Sequence, residues 1–299
     1  MTQWTDKFSY LNGTWLSPTR SVYLLGRDDL LATKTPHVMV AVVDQGQWSH
    51  KSYRFDAMSL CSAVTPTREI ILAGYGGEIL TGELGTLKPA QHINIDRDEG
   101  KVGYLRCARA IAGRVYLAGM DRQVYRRVVD GWEPLDNNLP GDDEEVVGFE
   151  AIDGYADNEV YAAGHEGEIW RFDGTRWHQI VSPTNLILLG LHCGSDGYVY
   201  VCGQVGTILR GRGDVWEEVV HAGLNEDLWD IVLFKGALYV ATRDVLYVLQ
   251  DGELVPVDFG EAEIPFSFYR FTSSADELIT IGAKDVMRFD GTVWSRIDG

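Results

Sequence analysis

The sequence predicts an all-β protein built from seven four-stranded units, and three observations predict it. A β-branched and aromatic run that ends in a small residue recurs at intervals of 39 to 48 residues, an Asp-Gly turn followed by tryptophan recurs behind it, and 33 glycines punctuate the 299 residues. A fixed period of this length marks a repeat architecture, in which each unit buries its apolar faces against its neighbours.

The run reads Val22-Tyr23-Leu24-Leu25-Gly26, Ile70-Ile71-Leu72-Ala73-Gly74, Val115-Tyr116-Leu117-Ala118-Gly119, Val160-Tyr161-Ala162-Ala163-Gly164 and Val199-Tyr200-Val201-Cys202-Gly203. Looser copies follow at Leu238-Tyr239-Val240-Ala241-Thr242 and Leu278-Ile279-Thr280-Ile281-Gly282. What comes next is clearest from Gly164 to Trp177, where Ile169-Trp170-Arg171-Phe172 leads into Asp173-Gly174. Asp-Gly supplies the positive φ angles of a tight hairpin, and period-2 alternation on either side marks two strands. The turn returns at Asp130-Gly131-Trp132, Asp251-Gly252 and Asp290-Gly291, and in scrambled form before Trp216. One more apolar run precedes each anchor, as in 147–152, 188–193 and 228–234, giving four antiparallel strands per unit. Radial stacking of such sheets is a seven-bladed β-propeller. A helical solenoid would instead repeat apolar residues at i, i+3, i+4 and i+7. No linker or low-complexity stretch interrupts the pattern, so residues 1–299 are expected to form a single propeller domain.

The repeat, V-Y-x-A-G-x-x-G-x-I-x-x-x-D-G-x-x-W, resembles those of bacterial seven-bladed β-propellers in the broad WD40/YVTN-like, Ycf48-like group, and the resemblance covers essentially the whole chain. It implies the fold without selecting an activity, since propellers host binding, scaffolding and several chemistries. Trp229-Asp230 occurs alone and out of register with the Trp-Asp dipeptide of true WD40 repeats, and no S-x-D-x-G-x-T-W box of sialidase-like propellers is present.

Charge narrows the partners. With 44 acidic and 26 basic residues the formal net charge is −18, which disfavours phosphate backbones and anionic membranes and favours a basic protein. The start of the chain has no continuous apolar core of a secretory signal, and no later stretch reaches the roughly 18 apolar residues of a membrane helix. A cytoplasmic protein, monomeric when free, is expected. Cys61, Cys107, Cys193 and Cys202 show no paired C-x-x-C spacing, and the seven histidines are dispersed; neither a metal nor a cofactor is expected. Asp96 to Gly100 echoes the start of a calcium loop, but position 12 is Cys107 rather than the required Glu.

In a propeller the innermost strands line the channel, while the between-blade connections and the middle turn of each blade gather on one face. Aligned by apolar neighbours, the inner strands place Ser59, Arg106, Glu150, His192, Asp230 and Arg270 at one level around the channel mouth. The loops of that face carry Asp98, Glu99, Asp121, Asp142, Asp143, Glu144, Glu145, Glu166, Glu226, Asp227, Asp244 and Asp285; Glu150, Trp229 and Asp230 stand at its centre. Arg106 with Glu150 and Asp230 with Arg270 are expected as ion pairs. Trp132, Trp177, Trp216 and Trp294 are expected to fill gaps between blades, and Trp229, inner-strand and unrepeated, to anchor a partner.

Three functions fit. The first is a non-enzymatic binding protein whose acidic face engages a basic partner, as an immunity protein covering a cationic toxin such as a nuclease would. The second is a lyase or hydrolase acting on a small polar or glycan ligand at the mouth through Glu150, Asp230 or His192. The third is an assembly scaffold with several partners.

Overall fold

The computed structural model describes residues 6–66, 68–83, 87–88, 91–93, 103–140, 147–222 and 224–297. They form seven sheets of four antiparallel strands, each sheet made of four consecutive strands. The innermost strands are Phe8–Ser17, Ala57–Ala63, Leu105–Ile111, Phe149–Ala156, Leu188–Cys193, Asp230–Phe234 and Arg270–Ser273. They pack side by side around a closed ring, blade 7 against blade 1. The fold is the seven-bladed propeller that the repeat predicts.

The recurring run is the second strand of each blade, and its burial explains its composition: Val115 to Ala118 and Val160 to Ala163 are wholly inaccessible to solvent. Both faces of such a strand are covered by neighbouring blades, so alternation gives way to a continuous apolar stretch, and small residues end it where the next backbone closes in. At Gly164 a Cβ would stand 1.9 Å from the Gly148 carbonyl. Each core cluster spans two blades; one joins Tyr116 and Ile111 of blade 3 to Phe149, Phe172 and Trp177 of blade 4. Trp177 and Trp294 are buried in such inter-blade clusters, and Trp132 and Trp216 pack half-buried against theirs. Trp177 also donates Nε1–H to the Leu135 carbonyl of the preceding connection, at 3.0 Å.

The Asp-Gly turns divide into two kinds. Asp251 and Gly252 both take positive φ, 51° and 82°, as a two-residue hairpin requires. At Asp173-Gly174 and Asp290-Gly291 only the glycine does. There the aspartate side chain builds the turn: Asp173 Oδ1 accepts from Thr175 N, Thr175 Oγ1 and Arg176 N, and Asp290 Oδ1 from Thr292 N, Thr292 Oγ1 and Val293 N. These bonds hold the Asp290 carboxyl down at about 2.

Among the described residues each sheet is made of consecutive strands, and side chains and loops join blade 7 to blade 1. Lys284 Nζ donates to Asp28 Oδ2 (2.6 Å) and to the Phe8 carbonyl (2.8 Å), Tyr10 N donates to the Ala283 carbonyl (2.8 Å), and Trp15 Nε1 donates to Glu277 Oε2 (2.6 Å). Beneath them Tyr10, Tyr23 and Leu25 pack against Ile279, Ile281 and Val286.

Candidate functional site

Between-blade connections and middle turns share one face, and their backbones are tied together. Asp121 N donates to the Val147 carbonyl (3.0 Å), His165 N to Gly148 (3.0 Å), Gly206 N to Glu226 (2.8 Å) and Phe268 N to Arg243 (2.8 Å). In blades 3, 4 and 7 the residue just after the middle turn adds a side-chain brace: Gln123 donates to the Gly103 carbonyl, while Glu168 accepts from Gly148 N and Asp285 from Phe266 N. Asp285, expected as an exposed charge of this face, is buried and spent in that role, with Arg296 at 2.9 Å from its other oxygen.

All six residues expected at the mouth line the central cavity of about 370 Å3, but they do not share one level. Ser59 pairs with Ala73, Asp230 with Ala241 and Arg270 with Ile281, three equivalent positions. The inner strands of blades 2 to 5 share one β-bulge; in blades 3 and 4 it puts Cys107 and Ala151 at that level, leaving Arg106 and Glu150 one residue nearer the rim. His192 pairs with Tyr200, two residues deeper. A bulge adds a residue to one strand without marking the sequence, so alignment by apolar neighbours slips.

The ring residues brace the propeller. Ser59 Oγ accepts from Ala108 N of blade 3 (2.6 Å), and Asp230 Oδ2 from Phe271 N of blade 7 (2.8 Å), while its Oδ1 takes Ile231 N. Burial raises the Asp230 carboxyl above its usual range. Glu150 receives His165 Nε2 at 3.1 Å and faces Arg106 Nε at 3.4 Å, the expected pair, and Arg106 lies over the Tyr75 ring. Arg270 Nη1 donates to the Trp229 carbonyl (3.0 Å); its hydrogen bond goes to the backbone rather than to Asp230. Trp229 is half-buried and meets Tyr269 edge-to-face.

Deeper in the channel lies a cluster that sequence reasoning missed. Arg109, Asp153 and His192 occupy one level on three successive blades, since all pair with the tyrosine of the repeat, Tyr116, Tyr161 and Tyr200. Arg109 Nη2 reaches Asp153 Oδ2 (3.2 Å) and His192 Nδ1 (3.4 Å), and Asp153 Oδ2 accepts from Cys193 N (3.0 Å). The available signal was position: each lies opposite the one conserved-looking tyrosine of its unit. Asp153 raises the Arg109 pKa further, while burial pushes His192 down to about 4. Between pH 6.5 and 4 the unfolded chain binds a proton at this histidine that the folded chain does not, so stability falls with acidification across that window. At 1.36 kcal/mol per pH unit the full loss is about 3 kcal/mol. Chemical denaturation at pH 7 and pH 4.5 should show His192→Gln flattening the decline; an equal decline in both proteins would overturn this. Among the described residues no group of three or more His, Cys, Asp or Glu is placed to hold a metal ion.

The acidic face is part free and part committed. Asp98, Glu99, Asp142, Asp143, Glu144 and Glu145 lie outside the described residues. Asp244 is held by Arg243 through two hydrogen bonds of 2.9 and 3.0 Å, and Asp121 accepts from Gly103 N (2.5 Å). Asp227 gives one oxygen to Val205 N (3.2 Å). Glu166 and Glu226 are exposed, and among the described residues no ion pair or side-chain hydrogen bond engages either. Glu150 and Asp230, placed by sequence both among the partner contacts and in the channel-mouth ring, line the central cavity. Apolar side chains share the face: Tyr104, Val181, Val205, Val220, Ile264 and Phe266 are all more than half exposed.

The fold is a seven-bladed β-propeller, and solved propellers match it over most of their length. The WD40 propeller domain of Doa1 matches with a TM-score of 0.70 at 13% identity, over 98% of this chain and 94% of that one. Ycf48 bound to D1 peptide matches with a TM-score of 0.65 at 16% identity, over 96% and 93%. No protein-family model matches. The chain is 39% identical over 279 residues to the immune protein Tsi7 of Pseudomonas aeruginosa, covering 91% of each, and it belongs to the family of that immune protein.

Proposed function

We propose that the chain is a cytoplasmic, non-catalytic immunity protein, monomeric when free, that binds a basic protein toxin with the loop face and blocks it by occlusion. Kinship with an immune protein supports the class of function. The observation that carries the mode of action is the loop face itself, where uncommitted carboxylates stand among exposed apolar side chains. Apolar side chains rimmed by charge are the composition of a protein interface, and the net charge of −18 steers a cationic partner toward it. On the opposite face Val64, Val129, Val215 and Val293 are more than half exposed, the last three at the outer hairpins of blades 3, 5 and 7. Carboxylates at Glu166, Glu226 and Asp227 would occupy the Lys and Arg side chains with which a nuclease-like toxin meets phosphate. Glu150, Asp230 and His192, on which a hydrolase or lyase would draw, are engaged across blades, Glu150 with Arg106, Asp230 with Phe271 N and His192 with Arg109, which favours binding over turnover.

The test is to express a toxin reading frame from the neighbourhood of this chain's gene and titrate it with the purified chain: inhibition reaching completion at one equivalent is expected, and an uninhibited toxin, or a neighbourhood that encodes none, would refute the proposal.

A further inference from the structure

The middle turn of blade 5, Gln204-Val205-Gly206, carries an unusual residue. Val205 adopts φ 55° and ψ 37°, a left-handed conformation that β-branched side chains strongly disfavour. In blade 4 the equivalent position is Glu166, at φ 54°. Half of the Val205 surface is in solvent (51%), so burial in the free molecule does not offset the strain.

The turn is nevertheless fixed from both sides. Gln204 N donates to the Ile187 carbonyl (3.0 Å), and Ile187 N to Gln204 Oε1 (3.2 Å). On the other flank Gly206 N donates to the Glu226 carbonyl, the Gly206 carbonyl meets His221 Nε2 at 2.7 Å, and Asp227 receives Val205 N. A Cβ at Gly206 would lie 2.0 Å from the Leu224 carbonyl, so only glycine lets the turn seat there. The turn of blade 4 leans in the same way on the connection before blade 5, with Gly167 against Thr184. Val181, Val205 and Val220 thus come from successive loops in backbone contact, with Glu166, Glu226 and Asp227 among them. Strain held in place by surrounding structure and left in solvent is a mark of a functional contact.

We propose that Val205 is the anchor of the toxin interface, presented rigidly to a toxin segment in which an apolar surface is flanked by lysine or arginine. Such a segment buries Val205 against Val181 and Val220 while its cations meet the three carboxylates, and preorganisation of the turn spares the interface an ordering cost. This inference rests on the proposed immunity function.

The experiment measures binding of the toxin identified by the inhibition titration to the wild-type chain, Val205→Asn and Val205→Ile, together with their melting temperatures. Asparagine accepts left-handed φ, so V205N should melt no lower than wild type while its Kd rises at least tenfold. V205I keeps the β-branched apolar contact and should bind within about threefold of wild type. A V205N protein that binds as tightly as wild type overturns the anchor and leaves the immunity function standing. A V205N protein that melts several degrees lower also overturns it, because Val205 then serves the fold. A wild-type chain that does not bind the toxin refutes the underlying function.

Discussion

Replacing Glu166 and Glu226 by lysine and Asp227 by asparagine is expected to weaken toxin binding by at least about 100-fold and to flatten its dependence on salt. The first two side chains are exposed and uncommitted among the described residues, so the melting temperature should hold. Asparagine at 227 keeps the oxygen that receives Val205 N and removes only charge. The matched control replaces Asp130 and Asp214 by lysine and Asp251 by asparagine, the same change in net charge, in the outer hairpin turns of the opposite face where all three are exposed. If binding is recognition by the loop face, this control leaves affinity within about threefold of wild type, because bulk charge acts at long range and is screened. Equal losses in both variants would mean that net charge alone drives association, and the face would lose its meaning.

The largest stability effect is expected at Trp177. It is 3% exposed, packs on Phe149 and Phe172 with ring centroids 6.0 and 5.3 Å away, and reaches back to Leu135 of the preceding connection. Truncation to alanine leaves a cavity between two blades and costs about 3–5 kcal/mol. A fall in melting temperature on the order of 10 °C should follow. Trp177→Phe, which keeps most of the ring contacts and loses one hydrogen bond, should recover more than half of it. Each core cluster spans two blades, so every inter-blade wedge contributes to closure; an unaltered W177A melting temperature would contradict that packing.

The contrast between these sites shows what the sequence makes legible. Trp177 follows a turn whose chemistry is local: Asp173 organises four residues, and the tryptophan falls at a fixed distance behind it. The second-strand run is equally legible, because a strand covered on both faces must be continuously apolar. Arg106, Glu150 and His192 were assignable to the channel but not to a level within it, since a bulge moves side chains by one residue without altering composition. Arg109 and Asp153 escaped notice because their meaning is pairwise across blades, at a separation of 44 residues. The acidic face divides in the same way. Loop position predicted where Asp244 and Asp285 lie, but whether a carboxylate is free depends on where Arg243 and Arg296 end, which only the folded chain decides. Val205 offered no sequence signal at all, because valine is ordinary until its φ is known.

Occlusion by one folded face is tested most directly by titrating the cognate toxin, once identified, with the purified chain while toxin activity is followed. The account predicts activity falling linearly to zero at one equivalent, with recovery when the complex is dissociated by salt. Complete inactivation by a few hundredths of an equivalent, persisting after the chain is removed, would show that it modifies the toxin catalytically and would contradict the account.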